Sequence, residues 1–103
     1  MWNQPSLEQL MKMPRLYETE HVPLQEKVIY EHFFLGGCDW YMAEFSTERR
    51  LFFGYARLLP GCGEWGYTSL NELEGIRVNG MEVDRDRFWV PMPFGEIRQR
   101  HDR

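Results

Sequence analysis

Acidic side chains that stand beside an aromatic residue or an arginine are the first candidates for chemistry in this sequence. They are Glu18, Glu20, Glu44, Glu64, Asp84 and Asp86. Carboxyl groups that meet in an apolar cleft can perform acid–base or glycosidic chemistry. Nothing in the spacing of these six requires them to converge, and isolated acids are usually solvated or paired with arginine. The alternating charges of residues 84–87 therefore indicate a ladder of surface ion pairs.

Other kinds of site have less support in the sequence. The histidines His21, His32 and His101, taken with the two cysteines, lack the spacing of a metal site. The chain also lacks the motifs of a nucleophilic serine and of a phosphate-binding loop. We therefore expect neither a metal nor a cofactor. Cys38 and Cys62 are too few for a disulfide scaffold and are expected to be free thiols.

Length, charge and composition favour a single domain that comprises residues 1–103. The chain has 103 residues, a formal net charge of -4 and 16% aromatic residues, a composition that can support a packed core. The acidic balance disfavours nucleic acid as the partner. The sequence shows no long apolar run and no basic-then-apolar leader, so we expect no membrane span and a cytoplasmic protein.

The elements that must position these side chains are those of an α+β fold, an antiparallel β-meander of four or more strands with two short helices. Eleven of the sixteen aromatic residues fall between residues 28 and 67, and the alternation of aromatic and β-branched side chains there predicts strands. The predicted strands are 28–35, 38–45, 51–58 and 64–68. Gly54, inside the third strand, indicates a bulge or a close backbone approach.

Two short helices flank the predicted meander. Ser6 with Gln9 and Ser69 with Glu72 have the spacing of capping boxes, which predicts a helix start at each place. Gly75 is expected to end the second helix.

The last third of the chain is predicted to form a hairpin followed by an extended segment. The pair Asn79-Gly80 predicts a tight two-residue turn. Prolines make residues 89–93 extended. Residues 1–5 and 98–103 are expected to be frayed.

Both faces of the predicted sheet carry aromatic rings. In the second strand Trp40 and Glu44 share one face, and Tyr41 and Phe45 share the other. One face must cover the helices. The opposite face is either an exposed aromatic patch with a charged rim, typical of protein-contact surfaces, or is covered by the N-terminal helix and the proline-rich C-terminal segment. The two alternatives stay open, because one sequence does not determine the strand register.

Several segments, taken in order, resemble one bacterial family. They are LYETE at 16–20, DWYMAEF at 39–45, FFG at 52–54, EWGYTSLNEL at 64–73, VDRD at 83–86 and WVP at 89–91. Over roughly residues 5–97 the chain resembles the family catalogued as "domain of unknown function 2958". That family is carried by plasmids, phages and integrative conjugative elements and has no assigned activity. The resemblance therefore implies a genetic setting and no reaction.

The resemblance also points to individual positions. Those that match the pattern are Tyr17, Glu20, Trp40, Tyr41, Glu44, Phe53, Gly54, Glu64, Gly66, Tyr67, Arg85, Asp86 and Pro91. Four of the matching polar residues have no obvious use in a core, and we place the predicted site there, beside two aromatic residues. The predicted binding residues are Glu20, Glu44, Arg85 and Asp86 with Trp40 and Tyr55.

The leading hypothesis is a non-enzymatic binding protein of a mobile genetic element. It would contact a host or element-encoded protein through an aromatic face, as an accessory factor or an inhibitor of host defence. A DNA mimic is a weaker variant, because a net charge of -4 is mild for a phosphate mimic. One alternative is a small hydrolase or transferase with Glu20, Glu44 and Asp86 around a cleft. Another is single-strand nucleic-acid binding on the sheet aromatics, which requires arginines beside exposed rings.

Overall fold

The structure is a computed structural model that describes the backbone of residues 2–59 and 61–101 and the side chains of that chain up to residue 98. The helices are α1 (Leu7–Met11), a single 3-10 turn (Leu24–Glu26), α2 (Leu70–Gly75) and α3 (Phe94–His101). The strands are β1 (Val28–Ile29), β2 (Glu31–Leu35), β3 (Cys38–Ser46), β4 (Leu51–Leu59), β5 (Cys62–Ser69), β6 (Arg77–Val78), β7 (Met81–Glu82), β8 (Asp84–Arg85) and β9 (Met92–Pro93).

The predicted antiparallel meander is confirmed. The main sheet has the order β5-β4-β3-β2-β8, and each neighbouring pair in it is antiparallel. Strand β1 pairs with β9, and β6 pairs with β7 through the predicted turn. Asn79 and Gly80 in that turn have φ values of 52° and 80°, the left-handed conformation that an Asn-Gly hairpin adopts. The fold is therefore α+β with β5 at one edge of the sheet.

Both predicted helix starts are also confirmed. The Ser6 hydroxyl accepts a hydrogen bond from the Gln9 backbone N–H at 3.2 Å, and the Gln9 side chain accepts one from the Ser6 N–H at 2.8 Å. The Ser69 hydroxyl accepts from the Glu72 N–H at 2.9 Å. These contacts satisfy amide donors that the first turn of a helix leaves unpaired.

Helices α1 and α2 cover one face of the sheet. Leu10 of α1 and the two leucines of α2 pack into a core that consists of Leu10, Met13, Phe33, Leu35, Trp40, Met42, Phe45, Phe52, Leu70, Leu73 and Val83. Trp40 is only 5% exposed in this core. Trp40 therefore does not belong to an exposed aromatic patch, contrary to its prediction as a binding residue.

The C-terminal segment covers the other face. Phe94 and Ile97, three residues apart on α3, are buried against Ile29, Tyr41 and Ala43. The second of the two open alternatives is therefore observed in part: both faces of the sheet are covered, but the N-terminal helix lies on the face of α2 and not on that of the C-terminal segment. Helix α3 was not predicted, and the tail from residue 98, expected to be frayed, continues it to His101. The last two residues lie outside the described chain.

The N-terminal residues also differ from the expectation of a frayed end. The Trp2 ring stacks on Phe33 with a centroid distance of 5.7 Å, and Pro5 is buried. Residue 1 lies outside the described chain. Residues 2–5 thus extend the cover that α1 provides for the first core.

A bulge in β3 sets the position of the site. The β3–β4 register shifts between Met42 and Glu44, so that Met42 opposes Gly54 and Glu44 opposes Phe53. A Cβ atom on Gly54 would lie 2.7 Å from the Cα of Met42, so the close approach predicted at this glycine is confirmed. The extra residue reverses the alternation of the strand, and Phe45 joins the Trp40 core while Glu44 turns away from it.

Candidate functional site

Glu44 anchors the loop that follows α1. Its side chain is 2% exposed, and its carboxylate accepts hydrogen bonds from the Tyr17 N–H at 2.9 Å, from the Thr19 N–H at 3.0 Å and from the Thr19 hydroxyl. The buried ammonium of Lys27 donates to the carbonyl oxygen of Thr19 and, at 2.8 Å, to its hydroxyl oxygen. Both oxygens of the Glu44 carboxylate are thus occupied by the protein, which makes Glu44 an anchor and a poor general acid or base.

The anchored loop forms one wall of a cavity of about 450 Å³. We call it the tyrosine cavity, and its main lining residues are Tyr17, Glu20, Lys27, Phe53 and Tyr67. The Lys27 ammonium lies 5.9 Å from the centre of the Phe53 ring. A hydrogen bond with the Tyr17 side chain raises the pKa of Tyr67, so the Tyr67 hydroxyl stays neutral at physiological pH.

A second cavity, of about 390 Å³, lies where α3 and the 3-10 turn cross the ends of β4 and β5. We call it the arginine cavity, and its main lining residues are Tyr55, Arg57, Trp65, Phe94 and Arg98. The Phe94 ring lies 4.6 Å from Tyr55 and 4.9 Å from Trp65, measured between centroids. The cavity thus combines aromatic walls with two cationic side chains.

A row of rings joins the two cavities along the face of β4 and β5. Successive centroid distances are 5.2 Å from Tyr67 to Phe53, 5.6 Å from Phe53 to Trp65 and 5.9 Å from Trp65 to Tyr55. Leu24 lines both cavities. We call the two cavities, together with this row of rings beside the edge strand, the β5 groove.

A chain of polar contacts orients Arg57 in the β5 groove. Its Nη2 donates to Asp39 Oδ2 at 3.3 Å, and Asp39 Oδ1 lies 2.8 Å from His32 Nε2. The His32 ring stacks on Tyr41 at 4.6 Å. Burial raises the pKa of Asp39, but the hydrogen bonds and charges of His32 and Arg57 outweigh burial and bring that pKa below its usual value. Asp39 is therefore ionised and holds the guanidinium in place.

Arg85 belongs to a separate cluster at the opposite edge of the sheet. Its Nη1 lies 3.6 Å from Glu31 Oε1 and donates to Gln9 Oε1 at 2.9 Å. Burial raises the pKa of Glu31, against the opposing effect of Arg85. These contacts tie β8 and α1 to β2, a structural role that explains a polar side chain at position 85.

The six predicted binding residues fall in four places. Glu20 and Glu44 line the tyrosine cavity, Tyr55 lines the arginine cavity, Trp40 lies in the first core, and Arg85 and Asp86 lie at the β8 edge. Asp86 Oδ2 is 3.6 Å from His32 Nδ1, and Asp86 does not line the tyrosine cavity with the two glutamates. The three carboxylates of the enzyme alternative thus do not share one cavity. Across residues 2–59 and 61–98, no three potential metal-ligating side chains gather at one place.

Three residues that line the cavities were not among those predicted for the site: Lys27, Arg57 and Trp65. Arg57 follows Phe53 and Tyr55 at every second position of β4, a period that places the three side chains on one face. This alternation can be seen in the sequence. Whether that face forms a cavity depends on where α3 packs, and α3 itself was not predicted.

Comparisons with known proteins identify a family and no activity. A family model described as "Protein of unknown function (DUF2958)" matches residues 7–93. Neither a curated protein nor a solved structure matches the chain. The described chain also contains no helix of the length and apolar character needed to cross a membrane.

Proposed function

Given that the chain belongs to the DUF2958 family of proteins of unknown function, we propose that it acts by binding another protein and not by catalysing a reaction. The partner docks an extended segment against β5, and its side chains enter the β5 groove. This replaces Trp40 by the row from Tyr67 to Tyr55 as the aromatic part of the contact surface.

The free edge of β5 is the observation that carries this proposal. Strand β5 has eight residues and pairs only with β4 among the strands described. Natural edge strands are usually short, or are protected by lysine, proline or several charges. Strand β5 has neither lysine nor proline, and Glu64 is its single charged residue. An edge of this kind suits the addition of a strand from a partner, whose backbone pairs with β5 while alternate side chains enter pockets.

Exposed apolar side chains adjoin this edge. Tyr67 is 51% exposed, and at the other end of β5 two leucines of the β4–β5 hairpin, Leu58 and Leu59, are exposed as well. Tyrosine, tryptophan and arginine are enriched where protein interfaces derive most of their affinity. The composition of the β5 groove therefore supports a protein partner.

The observations on the carboxylates weigh against the enzyme alternative. Glu44 already accepts three hydrogen bonds from residues 17 and 19, and Asp86 lies at the other edge of the sheet. An acid–base pair requires both groups within reach of one substrate, which this placement does not provide.

The biological setting is part of the same proposal. The resemblance to proteins of plasmids, phages and conjugative elements supports a role as an accessory or host-defence-inhibiting factor. We accordingly propose that the partner is a host or element-encoded protein and that the two meet in the cytoplasm. The net charge of -4 favours a protein partner over a nucleic acid.

Site-specific photocrosslinking tests the proposed edge. A photoreactive phenylalanine analogue replaces Tyr67 in one variant and Phe88 in another, in bacteria that carry the gene. Phe88 is the matched control, because it is 88% exposed and lies in the loop after β8, at the opposite edge of the sheet. We expect position 67 to capture one defined protein that position 88 does not.

Affinity for the captured protein then gives the quantitative test. Tyr67→Lys places a charge at the edge and should weaken binding at least tenfold, or about 1.4 kcal/mol, whereas Phe88→Lys should change it less than twofold. Equal capture at both positions, or unchanged affinity of Tyr67→Lys, would contradict the proposal. Capture of a second copy of the chain at position 67 would show that β5 mediates self-association, and the proposal of a foreign partner would be wrong.

A further inference from the structure

We propose that the arginine cavity is a carboxylate subsite, which binds an acidic group of the docked segment through Arg57. The group is either an aspartate or glutamate side chain or the C-terminal carboxylate of the segment. This inference rests on the proposed function, since it specifies the chemistry of the partner at one end of the β5 groove.

The glycine opposite Arg57 makes room for the tyrosine ring that forms one wall of the arginine cavity. Arg57 pairs in register with Gly63, which has no side chain to fill the cavity. A Cβ atom on Gly63 would collide with the hydroxyl group of Tyr55. Any larger residue at position 63 would therefore displace the ring that forms the cavity wall, and glycine keeps that wall in place.

Arg57 is oriented before any ligand arrives. Asp39 holds one terminal nitrogen of the guanidinium from outside the cavity, and His32 holds Asp39. The Arg57 side chain nevertheless lines the cavity and keeps 23% of its surface exposed. A guanidinium with a fixed plane loses little conformational freedom when it binds a carboxylate.

One donor of Arg57 lacks an acceptor. Its Nε is buried and has no hydrogen-bond partner within the described chain. An unsatisfied buried donor is unfavourable and is rare in native proteins. After a small shift of the guanidinium, a carboxylate in the cavity would accept from Nε and a terminal nitrogen together, the paired geometry that arginine favours.

Charge and shape identify the group as a carboxylate on an apolar body. Arg57 and Arg98 face the cavity, and Glu64, exposed at its rim, is the single acid among the lining residues. The walls of Trp65 and Phe94 suit an apolar side chain beside the charge. A nucleic-acid phosphate fits less well, because the whole protein is acidic and repels a polyanion.

A pair of matched small molecules tests the subsite without knowledge of the partner. The probes are 3-phenylpropionate and its neutral amide, titrated into the whole protein and followed by NMR of the Trp65 indole N–H and the Arg57 Nε–H. We expect the carboxylate to shift both signals and to bind at least fivefold more tightly than the amide. Equal affinities of acid and amide would overturn the proposal.

Two arginine variants separate a specific contact from general charge. Arg57→Gln should abolish the preference for the acid. Arg98→Gln, at the surface of the same cavity, should reduce the preference by about half. This second variant still tests the proposal if Arg57→Gln fails to fold. Arg50→Gln is the control, because Arg50 lies on the turn before β4, with its guanidinium 3.8 Å from Glu74. A preference that is undiminished in Arg57→Gln, or in Arg98→Gln if the first variant does not fold, would refute the assignment.

Two eight-residue peptides then identify the source of the carboxylate. One has an internal glutamate and an amidated C-terminus, and the other ends in a free phenylalanine carboxylate without an internal acid. The peptide that binds more tightly identifies the source of the carboxylate. If the acid probes show no preference while crosslinking at Tyr67 captures a partner, the carboxylate subsite fails and the docking edge stands. If neither experiment succeeds, both proposals fail.

Discussion

Replacement of Glu44 by glutamine should destabilise the protein strongly, and the size of the loss distinguishes an anchor from a catalytic carboxylate. In the structure this carboxylate accepts from two backbone N–H groups and one hydroxyl, all in the loop at residues 17–19. Glutamine keeps one neutral oxygen. Its amide NH₂ group would face at least one of the donors that the second oxygen now satisfies.

The expected magnitude follows from those contacts. A hydrogen bond to a charged group contributes about 1.5–3 kcal/mol, and a buried donor left unpaired costs about 1–3 kcal/mol. Glu44→Gln weakens the bonds at one oxygen and removes those at the other, so we expect a loss of about 2–4 kcal/mol in the free energy of unfolding. That is a large part of the total stability of a domain of this size, about 5–15 kcal/mol.

Urea unfolding followed by tryptophan fluorescence measures this loss by linear extrapolation. Glu48→Gln is the matched control, because Glu48 is exposed on the turn after β3, and its substitution should change stability by less than about 0.5 kcal/mol. A loss below about 1 kcal/mol for Glu44→Gln, or a gain, would refute the anchor role. Catalytic groups often reduce stability, so a gain would revive the enzyme alternative.

Two further predictions concern the backbone approach at Gly54 and the charge of Asp39. Gly54→Ala should destabilise the protein by about 3 kcal/mol in the same urea assay, since its Cβ would overlap the β3 backbone at Met42. Gly66→Ala is the control and should reduce stability by less than about 1 kcal/mol, because no described atom lies within 4 Å of its Cβ. The pKa of Asp39 is lower in the folded than in the unfolded protein, so its charge stabilises the fold above about pH 4 and this contribution is lost as the pH falls through the folded pKa. The stability difference between wild type and Asp39→Asn should therefore be largest near neutral pH and shrink in acid, and a difference that does not change with pH would contradict this.

Local signals in the sequence predicted the elements that local interactions determine. The capping pairs that begin with Ser6 and Ser69, and the turn at Asn79-Gly80, act over two to four residues, and each was found where it was predicted. Helix α3 was missed because only Phe94 and Ile97 in it are large apolar residues. Its burial depends on the sheet face and the 3-10 turn that receive it, which are distant in sequence.

The candidate site was predicted less well, because one inserted residue changes which side chains share a face. Regular alternation placed Glu44 with Trp40. The bulge between Met42 and Glu44 reverses the alternation, so that Glu44 leaves the core side and Phe45 enters it. A bulge of this kind depends on the pairing with β4, and Gly54 was its one sequence signal.

The conformation of Tyr17 supports the proposal that the tyrosine cavity, which the bulge forms by turning Glu44 towards residues 17–19, belongs to a contact surface. Tyr17 has a φ of 73°, a left-handed conformation that costs a residue other than glycine roughly 1–2 kcal/mol. The Tyr17 side chain is 57% exposed, so its burial does not offset that cost, and glycine would satisfy the backbone better. Glu44, held buried at its own desolvation cost, fixes the Tyr17 N–H at 2.9 Å. This arrangement keeps the side chain of Tyr17 next to Tyr67 in the tyrosine cavity. An exposed aromatic residue in an unfavourable backbone conformation is typical of a contact surface.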